Sequence, residues 1–308
     1  MKVEFRKIIK VDELIYPLFI KEDEHLSAKI NSLTGVYRIS LDSLLKEVNQ
    51  LKSLGLNKFL IFGVPKRKTK NAESAYKDEN IVSKAIKILK VKYPKITLMA
   101  DVCLCAYTLN GHCRILKKNH IFDEEKTLDT LAKIALTYAK AGADYIAPSA
   151  VARGEVKVIR KVLDKSDYRQ VKIMGYSAKF ASNFYGPFRN IANSTPKFGE
   201  RSYQLDFNDK KQIFSKVAED IKHGVDIIMV KPALGYLDIV REIKDKFNFS
   251  LATYNVSGEY FMAKKGAQLG IWDEKKIVFE IISSIKRAGS DFIITYHAKD
   301  VAKWLSYG

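Results

Sequence analysis

A chain of 308 residues with 47% hydrophobic and 29% charged positions carries enough apolar side chains for one large core, which excludes disordered and collagenous classes. Its formal charge of +18, from 53 Lys and Arg against 35 Asp and Glu, comes mostly from scattered lysines. Only KRKTK at 66–70 is compact, and no zinc-finger spacing, RNP-like motif or basic heptad accompanies it, so the charge reads as a solvated surface and nucleic acid is not an expected partner. No apolar run approaches the roughly 20 residues of a membrane span, and no signal-peptide pattern is seen. Three cysteines within one short stretch suit reduced thiols better than a disulfide framework, so a cytoplasmic protein without membrane contact is expected.

Eight short apolar runs follow in chain order: LIYPLFI (14–20), FLIFGV (59–64), TLMADVC (97–103), YIAPSA (145–150), KIMGYS (172–177), IIMVKP (227–232), LATYNV (251–256) and FIITYH (292–297). None alternates with polar residues, as expected of strands covered on both faces. Amphipathic stretches such as SLDSLLKEVNQLKSLG, EEKTLDTLAKIALTYAKAG, DKKQIFSKVAEDIKHG and DEKKIVFEIISSIKRAG lie between them. The joints Gly55-Leu56-Asn57, Gly142-Ala143-Asp144, Gly224-Val225-Asp226 and Gly289-Ser290-Asp291 each precede an apolar run, the pattern of a left-handed glycine cap followed by a polar turn. Together these features predict a single (β/α)8 barrel over 14–308, with residues 1–13 before it. A doubly wound sheet is the alternative, but no G-x-G-x-x-G follows an early strand.

Barrel chemistry sits at the carboxyl ends of strands, and there the sequence places Asp101 with Cys103, Ser149, Ser177 then Lys179, Lys231, Asn255 then Ser257, and Tyr296. Cys103, Cys105 and Cys113 form C-x-C-x7-C, and three thiolates with a fourth position free make a catalytic rather than a structural zinc arrangement. His112 would close the site as a fourth ligand; the plain alternative is buried hydrophobic cysteines, and Asp101 could simply cap a loop. Lys179 and Lys231 must either reach solvent or lose charge. At about 6 Å and an effective dielectric of about 20 they repel by roughly 2.8 kcal/mol, or about two pKa units, and desolvation adds to this. Such a pair supplies a free amine for carbonyl attack, as in an imine-forming lyase or condensing enzyme. The irregular segment FYGPFRNIANSTPKFGERSYQ (184–204) offers two guanidinium forks to a carboxylate, or is a surface loop with solvated arginines. Ser257 could be a helix cap and Tyr296 a core tyrosine.

DVCLCAYTLNGHC, YSAKFASNFYGPFR, IMVKPALGYLDIVR, YNVSGEY and SIKRAGSDFIITY, in this order, resemble the 5-aminolaevulinate dehydratase (porphobilinogen synthase) family from residue 14 nearly to the C-terminus. The resemblance implies a homo-oligomeric hydro-lyase that condenses two 5-aminolaevulinate molecules into porphobilinogen with loss of two waters, in tetrapyrrole (haem) biosynthesis. It assigns Lys231 to the imine of the first substrate, with Ser257 and Tyr296 on its carboxylate and Asp101 and Ser149 near its amino group. It assigns Lys179 to the second substrate, Arg189, Arg201 and Gln204 to that molecule's carboxylate under a lid, and Cys103, Cys105 and Cys113 to zinc. The chain departs from the family at Ala150-Val151-Ala152-Arg153, where two acids are usual, and at Ala106, Leu109 and Asn110. Lys216 stands where bacterial members often carry a glutamate for an allosteric magnesium, so none is expected. The N-terminal arm is shorter than the family's, which implies an assembly smaller than an octamer. The alternatives are a divergent paralogue using imine chemistry on another amino ketone, and a catalytically silent metal- or nucleic-acid-binding scaffold.

Overall fold

Runs of β-branched and large apolar residues without polar alternation need cover on both faces, which parallel strands under helices provide. The computed structural model describes residues 8–22, 28–29, 33–117 and 121–306. Its barrel strands are β1 (Leu14–Lys21), β2 (Lys58–Val64), β3 (Thr97–Val102), β4 (Tyr145–Pro148), β5 (Lys172–Lys179), β6 (Ile227–Lys231), β7 (Leu251–Asn255) and β8 (Phe292–Thr295). Each pairs in parallel with the next, and β1 closes the ring on β8 through Leu14↔Ile293 and Ile15↔Ile294. That closure excludes the doubly wound alternative. The wall is made by α1 (Leu41–Ser53), α2 (Ile81–Lys92), α3 (Glu124–Ala141), α4 (Glu155–Lys165), α5 (Lys210–Lys222), α6 (Leu237–Phe247), α7 (Ser257–Gln268), α8 (Glu274–Arg287) and α9 (Ala298–Ser306).

The repeated joints work as turns with a built-in clasp. Gly55, Gly142, Gly224 and Gly289 all adopt positive φ, between 86° and 114°, where a side chain would be strained. The acid that follows three of them then reaches back to the preceding strand. Asp144 accepts from the Leu98 amide at 2.7 Å, Asp226 from Ile173 at 2.7 Å and Asp291 from Leu251 at 2.8 Å. Each carboxylate thus satisfies an amide at a strand start that would otherwise lack a partner.

Along each strand alternate residues face the barrel interior. Ile15, Phe19, Leu60, Phe62, Met99, Ala147, Met174, Met229, Ala252 and Ile294 fill it, whereas Leu14, Leu18, Ile61, Leu98, Ile173, Ile228 and Ile293 pack under the helices. Strand β5 breaks the alternation. Its register against β6 runs Met174↔Ile227 and Gly175↔Ile228 but then Ala178↔Val230 and Lys179↔Lys231, so β5 holds one extra residue, a bulge. The bulge turns Lys179 inward together with Tyr176, three positions earlier.

Residues 8–13 lie against the barrel: Ile9 is buried, Val11–Glu13 form one 3-10 turn, and Lys58 Nζ donates to the Asp12 carbonyl at 2.5 Å. Residues 1–7 fall outside the described part. Among the described residues no helix is long and apolar enough to cross a membrane.

Candidate active site

The inward rows of several strands end at the barrel mouth in polar residues. Met99 leads to Asp101 and Cys103, Ala147 to Ser149, Met229 to Lys231, Ala252 to Tyr254, and Ile294 to Tyr296. Lys231 is 4% exposed, and its ammonium lies over the rings of Tyr254, Phe188, Tyr176 and Tyr185, at 4.1, 4.9, 5.0 and 5.5 Å from their centroids. Lys179 sits over the same Tyr176 ring at 5.6 Å and donates to the Ser149 carbonyl at 2.6 Å. The two lysines therefore share one pocket. Ring faces favour a cation, yet burial prevails and lowers Lys231 from 10.5 to about 7, with Lys179 next in effect and Asp101 opposing. Desolvation thus outranks mutual repulsion, the reverse of the order expected from the sequence.

Asp101 does not cap a loop. Burial raises its carboxyl to about 6, against the pull of the Ser149 hydroxyl, Lys179 and Lys231, and its Oδ1 lacks a hydrogen-bond partner. Tyr296 is buried with its hydroxyl 3.2 Å from that of Tyr254. Ser257, the first residue of α7, accepts from the Phe188 amide at 2.9 Å and donates to the Phe184 carbonyl at 3.2 Å. It therefore fastens the first turn of the segment after β5. Asn255 faces away from the interior, tied to Glu259 and Thr295, and Ser177 donates to the Gly175 carbonyl.

Cys103, Cys105 and Cys113 are buried with their sulfurs within 4.8 Å of one another, and Cys103 and Cys105 are 3.5 Å apart. Tetrahedral zinc–thiolate geometry wants sulfurs about 3.8 Å apart, so three soft donors at these spacings fit a metal. Hydrogen bonds from the other two thiols, then Arg201 and Lys179, hold Cys113 well below the usual thiol range, while at Cys105 the lowering hydrogen bond with Cys103 is outweighed by that with Cys113 and by burial, which push it up to about 11. His112, whose Nε2 is 2.8 Å from the Phe198 carbonyl, is not part of the group: among the described residues the ligand atoms gathered within 4.8 Å are the three thiols alone.

Beside the thiols lies a cleft of about 650 Å³ lined by Arg189, Arg201, Gln204, Ser182 and Tyr236 among others. Arg189 Nε, Arg201 Nε and Gln204 Nε2 are buried donors without partners. Burial and the neighbouring Arg201 lower Arg189, whereas the thiols outweigh burial at Arg201 and raise it. Two crowded guanidiniums with unused donors have the chemistry to hold an anion. The segment carrying them is less loop-like than its composition implied: Tyr185 and Ile191 are buried in the barrel-mouth core, and Gly186–Ile191 is helical. Lys179 and Lys231 do not line this cleft; they lie deeper.

A profile of the delta-aminolevulinic acid dehydratase family matches residues 2–304. The chain belongs to that family. It is 46% identical over 96% of its length to the delta-aminolevulinic acid dehydratase of Bacillus subtilis (strain 168), covering 91% of that protein. It is 43% identical, with the same coverage of both chains, to that of Archaeoglobus fulgidus. The crystal structure of the Toxoplasma gondii dehydratase (porphobilinogen synthase) in complex with porphobilinogen superposes with a TM-score of 0.94, at 38% identity over 96% of this chain and 85% of that one. Family membership makes the chain an enzyme, a dehydratase of the lyase class.

Several residues of this dehydratase site carried no mark in the sequence argument. Tyr254 stands on an inward position of β7 that counting by twos could have found, but the β5 bulge conceals the relation between Tyr176 and Lys179. Arg114 and Tyr203 come from loops and Tyr185 and Phe188 from short helical turns, where periodicity says nothing. Around the departure at 150–154, Val151 has φ of 59°. Glu155 accepts from the amides of Val151 and Ala152 at 3.1 and 3.2 Å, and Arg114 donates to the carbonyls of Ala150 and Val151. The loop is thus satisfied without the family's acids. Lys216 is buried and bonded to both oxygens of Asp220, at 2.5 and 2.6 Å, so the chain brings its own cation there.

Proposed function

We propose that the chain is a zinc-dependent porphobilinogen synthase that joins two 5-aminolaevulinate molecules with loss of two waters, Lys231 and Lys179 being its imine-forming residues. The observation that carries this reading is a pair of buried lysines in one pocket, one with a pKa near 7, on a chain of the dehydratase family. An ordinary lysine is less than about one part in a thousand neutral at pH 7, whereas Lys231 would be about half neutral.

The Lys231 amine attacks the ketone carbon of the first substrate, and the resulting carbinolamine loses its hydroxyl as water. Asp101, with a pKa of about 6, is matched to deliver and recover that proton. The rings of Tyr254, Tyr176 and Phe188 keep bulk water from the imine. Ser257 and Tyr296 take this substrate's carboxylate. Ser257 then exchanges its bonds to Phe184 and Phe188, which links substrate binding to the first turn of the lid. Ser149 and Asp101 face the amino group. Lys179 receives the second substrate, whose carboxylate meets the unused donors of Arg189, Arg201 and Gln204. Cys103, Cys105 and Cys113 would hold zinc, which when bound supplies a Lewis acid for that substrate's carbonyl.

The barrel over 14–308 acts as one catalytic unit. A homo-oligomer is supported by the exposed apolar side chains of Phe261, Met262, Leu269, Ile271 and Trp272 around the end of α7. A cytoplasmic location is supported by three free thiols that must stay reduced to bind metal. The Lys216–Asp220 pair supports the absence of an allosteric magnesium. Incubation of the purified protein with 5-aminolaevulinate and zinc should yield the pyrrole product, and borohydride should trap an adduct at Lys231. Absence of both would overturn the reading; an adduct without pyrrole would point to another amino ketone.

A further inference from the structure

Five consecutive residues of the thiol loop each touch the segment that carries the anion clamp. The Asn110 carbonyl accepts from the Lys197 amide at 3.0 Å, and the Gly111 carbonyl from Arg201 Nη2 at 2.9 Å. His112 Nε2 meets the Phe198 carbonyl, the Cys113 amide donates to the Tyr203 hydroxyl at 2.8 Å, and the Arg114 guanidinium lies 4.2 Å from the Tyr203 ring centroid. At Gly111 the two segments approach so closely that a Cβ would stand 2.2 Å from the Thr195 carbonyl oxygen.

Arg114 is the hub of this contact. It is 2% exposed, and it donates from Nη1 to the Cys113 and Ala150 carbonyls at 3.1 and 2.7 Å, from Nη2 to the Val151 carbonyl at 3.0 Å, and from Nε to Glu124 at 3.1 Å. Both polar groups of the Cys113 peptide are therefore held, the N–H by Tyr203 and the C=O by Arg114. Ala150 follows Ser149, whose carbonyl holds the Lys179 ammonium. One guanidinium thus joins the third thiol, the strand end that anchors Lys179, and the clamp segment bearing Arg201 and Gln204.

We propose that Arg114 and Tyr203 are positioning residues that set Cys113 for metal and join the thiol loop to the anion clamp, so that metal at the thiols and carboxylate in the cleft strengthen each other's binding. The proposal rests on the zinc reading above. Because such coupling is reciprocal, it is measurable from the metal side alone. Outer-sphere partners of this kind are typically worth about 10- to 100-fold in metal affinity.

The test is the Zn²⁺ dissociation constant of the whole protein, by competition with a chromophoric chelator, with and without levulinate. Levulinate is the keto acid that lacks the amine and cannot condense. The wild type should bind one zinc per chain, more tightly when levulinate is present. Tyr203→Phe, which keeps the ring and removes only the hydroxyl, should weaken zinc by about tenfold and speed exchange of the Cys113 amide. Arg114→Lys should bring the levulinate effect toward onefold; should it fail to fold, Tyr203→Phe decides alone. Wild-type zinc affinity in a folded Tyr203→Phe, or no levulinate effect in the wild type, overturns the coupling while leaving the thiol site intact. A wild type that binds no zinc removes the underlying reading as well.

Discussion

Replacing Lys179 by Met should make Lys231 harder to deprotonate, and Coulomb's law at an assumed separation sets the size of the change. The two side chains extend from register-paired positions of adjacent strands and share the Tyr176 ring. Two ammoniums about 7 Å apart at an effective dielectric of about 20 repel by about 2.4 kcal/mol, or about 1.7 pKa units. Burial is the larger cause of the Lys231 shift and survives the substitution, so its pKa should rise from about 7 to between about 8.5 and 9. At pH 7 the free-amine fraction falls from about one half to about one in fifty. Turnover is the wrong readout, because the proposed mechanism gives Lys179 a role of its own. The assay is borohydride trapping of 5-aminolaevulinate on Lys231 across the neutral and alkaline range, to beyond the ordinary lysine pKa, followed by mass spectrometry of the Lys231 peptide. The wild-type trapping midpoint should lie near 7 and that of Lys179→Met at least one unit higher. Coincident midpoints would show that repulsion has no part in tuning the amine, and a wild-type midpoint near 10 would refute burial as well.

Lys231→Met should abolish both adduct and turnover yet stabilise the fold. The folded-state pKa of Lys231 lies below its unfolded value, so the unfolded chain binds more protons between pH 7 and 10.5. Wild-type stability gains from this residue as pH rises through that window, and the full cost, on the order of a few kcal/mol, is borne below pH 7. The Met variant should lose that part of the slope in denaturant titrations; a variant less stable than wild type at pH 6 contradicts the account. Cys105→Ala should reduce bound zinc well below one per chain by elemental analysis, and unchanged stoichiometry would show the thiols are not its ligands. Gly258→Ala would place a Cβ 2.6 Å from the Phe184 carbonyl oxygen. The lid's first turn should then shift at a cost of about 1–3 kcal/mol, raising KM for 5-aminolaevulinate more than it lowers kcat; an unchanged KM would disconnect that turn from substrate binding.

What sequence could reveal followed from what repeats. Eight apolar runs and four glycine joints recur because each βα unit solves the same problem, burying a two-faced strand and turning the chain back. The structure adds that Asp144, Asp226 and Asp291 clasp the preceding strand, a bond between segments some 40 to 50 residues apart that periodicity alone cannot show. Site residues were legible where they extend an inward row, as Asp101, Ser149 and Lys231 do. They were legible for the wrong reason at Lys179: strict alternation from Met174 and Tyr176 turns it outward, and only the extra residue in β5 points it at Lys231.

The same distinction separates the two lysines physically. Lys231 follows regular strand geometry and is surrounded by rings that come partly from the segment after β5, through Phe188 and Tyr185. Its acidity therefore depends on how that segment is seated, and Ser257 and Gly258 control the seating. Lys179 depends instead on a bulge and on the Ser149 carbonyl, which Arg114 steadies through Ala150. Two chemically identical side chains, opposite one another across a strand pair, are thus supported by different loops. In the proposed mechanism the first imine would then respond to the segment after β5 and the second to the thiol loop, so that an asymmetric condensation of two identical substrates would take its asymmetry from the loops rather than from the lysines.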